Sequence, residues 1–144
     1  MADRWEWLEG VRKIGAAKAI GEELGRLIAE ELRGWPVRVE WEDDRKRDKF
    51  APLYAPEAPP PSHGAMLDGL RLARLELQRE PDAIGAFLRG DGEAASAHDA
   101  LARELVWQWA YEAALVVLEH TTGRVRRSDL VAGLDLAARL VAAS

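Results

Sequence analysis

Apolar residues recur with a helical period over the first 32 positions. Trp5, Leu8 and Val11 share one face, and Ile20, Leu24, Leu27, Ile28 and Leu32 carry it on. Four glycines interrupt the run, at positions 10, 15, 21 and 25. Each costs about 1 kcal/mol relative to Ala inside a helix. The segment therefore reads as two helices meeting near Gly15, or as one bent helix. Gly21 and Gly25 lie four apart on one face, where a missing Cβ lets another backbone come close. Gly34 followed by Pro36 ends the segment.

The period then changes. Val37-Arg38-Val39-Glu40-Trp41-Glu42 alternates apolar and polar, which predicts a short strand with Val37, Val39 and Trp41 inward. Eight consecutive charged residues follow, Glu42 to Lys49, four of each sign, and read as a solvated turn. Phe50 to Tyr54 is expected to return as a second strand, with Pro52 holding it to a sheet edge. Five of the seven prolines fall between Pro52 and Pro61, which predicts an extended stretch, partly polyproline II.

Helical periodicity returns at Ser62, an expected N-cap for a helix from His63 to about Arg79. Met66, Leu67, Leu70, Ala73, Arg74 and Leu77 set its stripe, and Leu72 and Leu75 widen it. Pro81 restarts the chain into a short helix ending near Arg89, with Ile84, Phe87 and Leu88 expected inside. Ser96 and Asp99 form a capping-box-like start for a helix from about Ala97 to His120. On it, Glu104, Gln108, Glu112 and Glu119 fall within a stripe about 80° wide, and nearly everything else but Arg103 and the histidines is apolar. Such a helix belongs at the centre of a bundle or in an oligomer interface. Gly123 ends it. Ser128 is expected to cap a last helix, Asp129 to about Ala143, with Leu130, Leu134, Ala137 and Val141 inward.

The expected fold is mainly α: a bundle of five to six helices around the apolar helix 97–120, with one small β-hairpin or extended arm over 37–61. Residues 1–144 form a single domain: helical segment 1–34, hairpin and Pro-rich arm 35–61, helical core 62–144. The length suffices for a real core.

Composition narrows the chemistry. There is no Cys, so disulfides, Cys-ligated metals and Cys nucleophiles are excluded. The net charge of −5 argues against a general nucleic-acid binder. No apolar run is long enough to span a membrane, and the start, MADRWEWLEG, lacks signal-peptide character. The expected location is cytoplasmic, without membrane association. Arginine exceeds lysine sixteen to four, which a GC-rich genome accounts for.

Tryptophan is the compositional anomaly: six residues, against two Phe and two Tyr. Four occur as Trp5/Trp7 and Trp107/Trp109. Residues at i and i+2 point about 200° apart on a helix, so one of each pair needs a second surface. Core packing accounts for Trp107 and Trp109 on an all-round apolar helix. Trp5 and Trp7, on a glycine-broken helix, point to an interface, as do Trp107 and Tyr54 as large amphipathic anchors.

Catalytic patterns are sparse. Three of the four serines read as helix caps, and neither a G-x-S-x-G elbow nor a phosphate-binding glycine loop occurs. Glu6-x-x-Glu9 and Glu40-x-x-Asp43 have the spacing of magnesium-holding carboxylates, but the second pair falls outside a helix. His98-Asp99, with His63 upstream and Asp129 or Asp135 downstream, follows the order of metal-dependent HD phosphohydrolases. His120 is about 33 Å along the same helix from His98 and cannot join it. Arg124, Arg126 and Arg127 form a basic loop before a helix N-terminus, suited to phosphate or an acidic protein surface.

The leading expectation is a non-enzymatic helical adaptor or assembly subunit acting through protein–protein contacts, with a protein partner or homo-oligomer and no cofactor. The alternatives are a nucleic-acid-associated accessory subunit using loop 124–127 and an HD-type phosphohydrolase using His63, His98 and Asp99.

Overall fold

In a computed structural model the chain is all-α. The structure describes residues 4–37, 39, 43–90, 96–121 and 123–144, with the side chains of residues 4–6 also outside the description. Among these, seven α-helices follow one another: α1 (Arg4–Arg12), α2 (Ala17–Arg33), α3 (Asp44–Phe50), α4 (His63–Leu77), α5 (Pro81–Arg89), α6 (Ala97–His120) and α7 (Arg127–Ala142). One 3-10 turn (Ala51–Tyr54) follows α3.

The glycine-broken opening segment is two helices, with the break over residues 13–16 and Gly15 inside it. In α2, Ile20, Leu24, Ile28 and Leu32 are fully buried, as their period requires. The same face carries Gly21 and Gly25, and α7 lies directly against it. A Cβ on Gly21 would strike the Asp129 carbonyl, one on Gly25 the Gly133 carbonyl, and one on Gly133 the Gly21 carbonyl. The two backbones touch, a spacing only glycine permits. Leu130, Leu134, Ala137 and Val141 of α7 are buried beside this contact.

The layers run α2, α7, α4, α6, each helix packing mainly on its neighbours in that order. The inner places thus fall to α7 and α4, while the helix 97–120, expected at the centre, lies at one end of the order and also touches α1, α2 and α3. Ala65, Met66, Gly69, Leu70, Leu72, Ala73, Leu75 and Leu77 bury α4 around most of its circumference. Gly69 repeats the glycine device: an added Cβ would sit 2.7 Å from the Val106 side chain and 2.8 Å from the Arg103 carbonyl. On α6 the stripe of Glu104, Gln108, Glu112 and Glu119 turns one side outward, and Val106, Ala110 and Val117 on the opposite side are fully buried.

The hairpin expected over 37–54 is absent among the described residues. Val37 is buried and Val39 half-buried without strand pairing, and Trp41 lies outside the described residues. The charged run forms α3 instead. The Asp43 carboxylate accepts from the Arg45 N–H at 2.9 Å and caps it. Asp44 and Arg47 pair at i, i+3, 3.1 Å apart. Phe50 then anchors the helix in a second core cluster with Leu53, Ala102 and Leu105. The chain does return to Val37, but through one side chain: the Tyr54 hydroxyl donates to the Val37 carbonyl at 2.7 Å. Residues 55–58 form a turn closed by the Ala58 N–H donating to the Ala55 carbonyl at 2.9 Å, and 59–62 carry no regular structure.

Two further expectations are corrected. Ser128 lies inside α7, whose N-cap is Arg126. The Arg126 N–H donates to the Asp129 carboxylate at 2.9 Å, so the acid caps the turn. Leu88, expected inside, is 40% exposed, while Phe87 is buried.

Glycine contacts yield a contrast in stability. Gly21→Ala and Gly133→Ala are expected to lose about 1–3 kcal/mol, because backbone cannot yield as a side chain does. Gly10→Ala, with nothing within 4 Å of the added carbon, is expected to gain about 0.5–1 kcal/mol. Urea unfolding of the three variants checks the ordering.

Candidate functional site

Arginines close several helix ends. The Arg124 guanidinium donates to the Arg12 carbonyl at 3.1 Å and to the Ile14 carbonyl, covering the end of α1. Arg127 donates to the Leu77 carbonyl at 2.9 Å, at the end of α4. Arg12 donates to the His120 carbonyl at 3.4 Å, at the end of α6. Terminal carbonyls lack intrahelical partners and carry the negative end of the helix dipole, which suits a cation. Two of the three basic-loop arginines are therefore engaged within the molecule, and Arg126 is exposed.

His98 and Asp99 serve the Pro-rich arm. Asp99 Oδ2 accepts from the Ser62 hydroxyl at 3.0 Å, and Oδ1 accepts from the Ser62 N–H at 3.2 Å. The same hydroxyl accepts from the Ala65 N–H at 3.1 Å, capping α4. His98 Nε2 donates to the Pro59 carbonyl at 2.8 Å, which assigns the proton to Nε2. Asp99 does not complete a capping box with Ser96. Its backbone N–H donates to the Ser96 hydroxyl at 3.0 Å, but its carboxylate reaches across to α4. Among the described residues no three His, Cys, Asp or Glu converge as a metal site, so His63, His98 and Asp99 are not brought together as one.

The tryptophans divide differently. Trp7 is partly buried against the main core, with its indole nitrogen enclosed and unpartnered, while the Trp5 side chain lies outside the description. Trp35 bridges the two core clusters. Trp109 leans on the main core. Tyr54 keeps 37% of its surface exposed. Burial pushes its phenol above the ordinary tyrosine range.

Trp107 opens onto the most distinctive surface. Here α6 packs on α4, with Val106 against Gly69, and Ala102, Val106, Ala110, Ala114 and Val117 are fully buried. The flank between this buried face and the stripe of Glu104, Gln108, Glu112 and Glu119 carries Trp107, Tyr111 and Leu118, with Leu115 at the stripe's edge, all partly exposed. At its N-terminal end an open groove of about 350 Å³ runs between α5 and α6. Leu88, Ala97, Ala100, Leu101 and Trp107 supply apolar walls, and Arg103 and Glu104 the polar groups.

Charges around the groove are unevenly matched. Glu104 is held by Lys49 at 2.6 Å and accepts from Gln108 at 3.3 Å. Arg71 lies over the Phe87 ring, 4.8 Å from its centre, and pins α5 to α4. Burial raises the Asp68 carboxyl above its ordinary range, against Arg103 and Arg71, which lower it. Burial likewise raises Glu76, opposed by the Trp107 indole N–H leaning toward its carboxylate outside good hydrogen-bond geometry. Arg103 Nη1 is enclosed and has no acceptor. A buried donor left so costs about 1–3 kcal/mol, more when charged.

Sequence reading missed Arg103, Leu88 and the Lys49–Glu104 pair as surface features. Arg103 did carry a signal, as the one cation inside an apolar helix. Leu88 carried none, because the period of a nine-residue helix cannot separate a wall of the core from the rim of a groove. Comparison with protein-family models, curated proteins and solved structures finds no match to this chain.

Two measurements check these assignments. Asp99→Ala leaves both Ser62 donors without their acceptor and is expected to cost about 1–3 kcal/mol in denaturant unfolding, with Asp99→Asn losing less. Glu76 is raised on folding, so its ionised form disfavours the fold. That penalty is absent below the unfolded pKa and grows as pH rises through the folded one. Glu76→Gln is therefore expected to melt above the parent at pH 7, with the gap closing below about pH 4.

Proposed function

We propose that this chain is a non-enzymatic helical adaptor or assembly subunit that works through protein–protein contacts within a larger complex. One observation carries the reading. Helix α6 is apolar around most of its circumference, and the fold buries it against α4 and against Phe50 and Leu53, yet Trp107, Tyr111, Leu115 and Leu118 on its flank stay partly in solvent. Large aromatic and aliphatic groups side by side on one helix are the composition of an interface core rather than of an ordinary surface. The Glu112 and Glu119 carboxylates beside them are exposed and supply a polar rim.

A photo-crosslinking residue at Leu115, introduced in the native host, tests this. Crosslinks to another protein, or to a second copy, are expected from Leu115 and not from exposed Ala132 on α7. Equal labelling at the two positions, or none at Leu115, would count decisively against the reading. Light scattering on the purified chain separates a homo-oligomer from a subunit awaiting a different partner.

A further inference from the structure

We propose that the groove between α5 and α6 recognises a partner peptide segment carrying a large apolar side chain and, within one turn of it, a carboxylate that Arg103 binds. This rests on the adaptor reading and names what the surface selects.

The groove is open and holds about 350 Å³. That suits one or two side chains delivered by a larger molecule, because small-molecule sites enclose most of their ligand. Leu88, 40% exposed, and the partly buried Trp107 both line the groove and provide the apolar seat.

Charge selects the rest. Glu104 is already occupied by Lys49 at 2.6 Å. Asp68 is one carboxylate facing two guanidiniums, Arg71 and Arg103. Arg103 Nη1 is shut off from solvent and has no acceptor. The Arg103 side chain as a whole is partly exposed, so rotation of its outer bonds presents the guanidinium to an incoming group and frees the trapped N–H. A carboxylate matches that fork with two parallel hydrogen bonds. Glu76, beside Trp107, repels a second acid at that end. The segment is thereby oriented, with its apolar anchor on Trp107 and Leu88 and its acid on Arg103.

The test uses the full chain to select from a phage library of random linear peptides. Selected peptides are then titrated against the parent, Arg103→Met, Arg103→Lys and Leu88→Glu by fluorescence anisotropy. The expected peptides share one Asp or Glu within a turn of a large apolar residue. Arg103→Met should weaken them about tenfold or more, and Arg103→Lys less. Replacing the peptide acid by its amide should weaken parent binding and change nothing further in Arg103→Met. That variant removes an unpaired buried donor and should melt no lower than the parent. If it fails to fold, Leu88→Glu at the exposed rim reads the same loss. Peptides without an acid, binding indifferent to Arg103 and Leu88, or no selected peptide overturn the proposal. Binding indifferent to both positions leaves the adaptor reading intact on another surface. Decanoate, a free aliphatic carboxylate, is titrated in parallel. Arg103-dependent binding of decanoate without peptide binding also overturns the proposal, in favour of a small acid.

Discussion

Where α2 crosses α7, backbone meets backbone at Gly21, Gly25 and Gly133. The remaining layers are built outward from that contact. It brings Ile20, Leu24 and Ile28 into one buried cluster with Leu130, Leu134 and Ala137, where close packing supplies dispersion attraction. With one face of α7 held, its other side receives α4. Gly69 then admits the α6 backbone to α4 in the same manner. Two glycine contacts, one on each side of the pair α7 and α4, set the order of the four principal helices.

Tight layers leave helix ends close to one another, and those ends need partners. Arg12, Arg124 and Arg127 each reach the last carbonyls of another helix. Asp99 and Ser62 join the starts of α6 and α4. The His-Asp dipeptide that superficially suggests metal chemistry thus clasps an irregular arm, and much of the basic loop closes the bundle. The surplus of arginine over lysine has a use here that lysine would serve less well, since one planar guanidinium spans two carbonyls.

What remains outside this framework is the outer arc of α6 and the groove at its N-terminal end. There the chain departs from the usual match of apolar surface to burial, and Arg103 departs from the usual match of buried donors to acceptors. Both departures lie on the same helix within one turn of each other, at Arg103 and Trp107. That coincidence directs attention to this surface rather than to the N-terminal tryptophans.

Legibility in the sequence followed the strength of the local signal. Helices α2, α4, α6 and α7 were readable from their apolar periods, aided by Gly34 at the end of α2 and by the Ser62 and Ser96 caps of α4 and α6, and the close approach at Gly21 and Gly25 could be anticipated from their four-residue spacing. Helix α3 was not, because a run of mixed charge has no apolar period. It became a helix through the Asp43 cap, the Asp44–Arg47 pair and the burial of Phe50 on α6. The groove was illegible for a related reason: exposure of Leu88 and isolation of Arg103 arise only between elements. By itself the sequence determined which segments coil and which faces are apolar, since these depend on neighbours within a turn. Only the tertiary structure decided that α7 and α4 rather than α6 lie between the other principal helices, and which apolar flank of α6 stays partly open. The wide apolar surface beside the glutamate stripe can pack on several neighbours, and the choice falls to whichever packs closest.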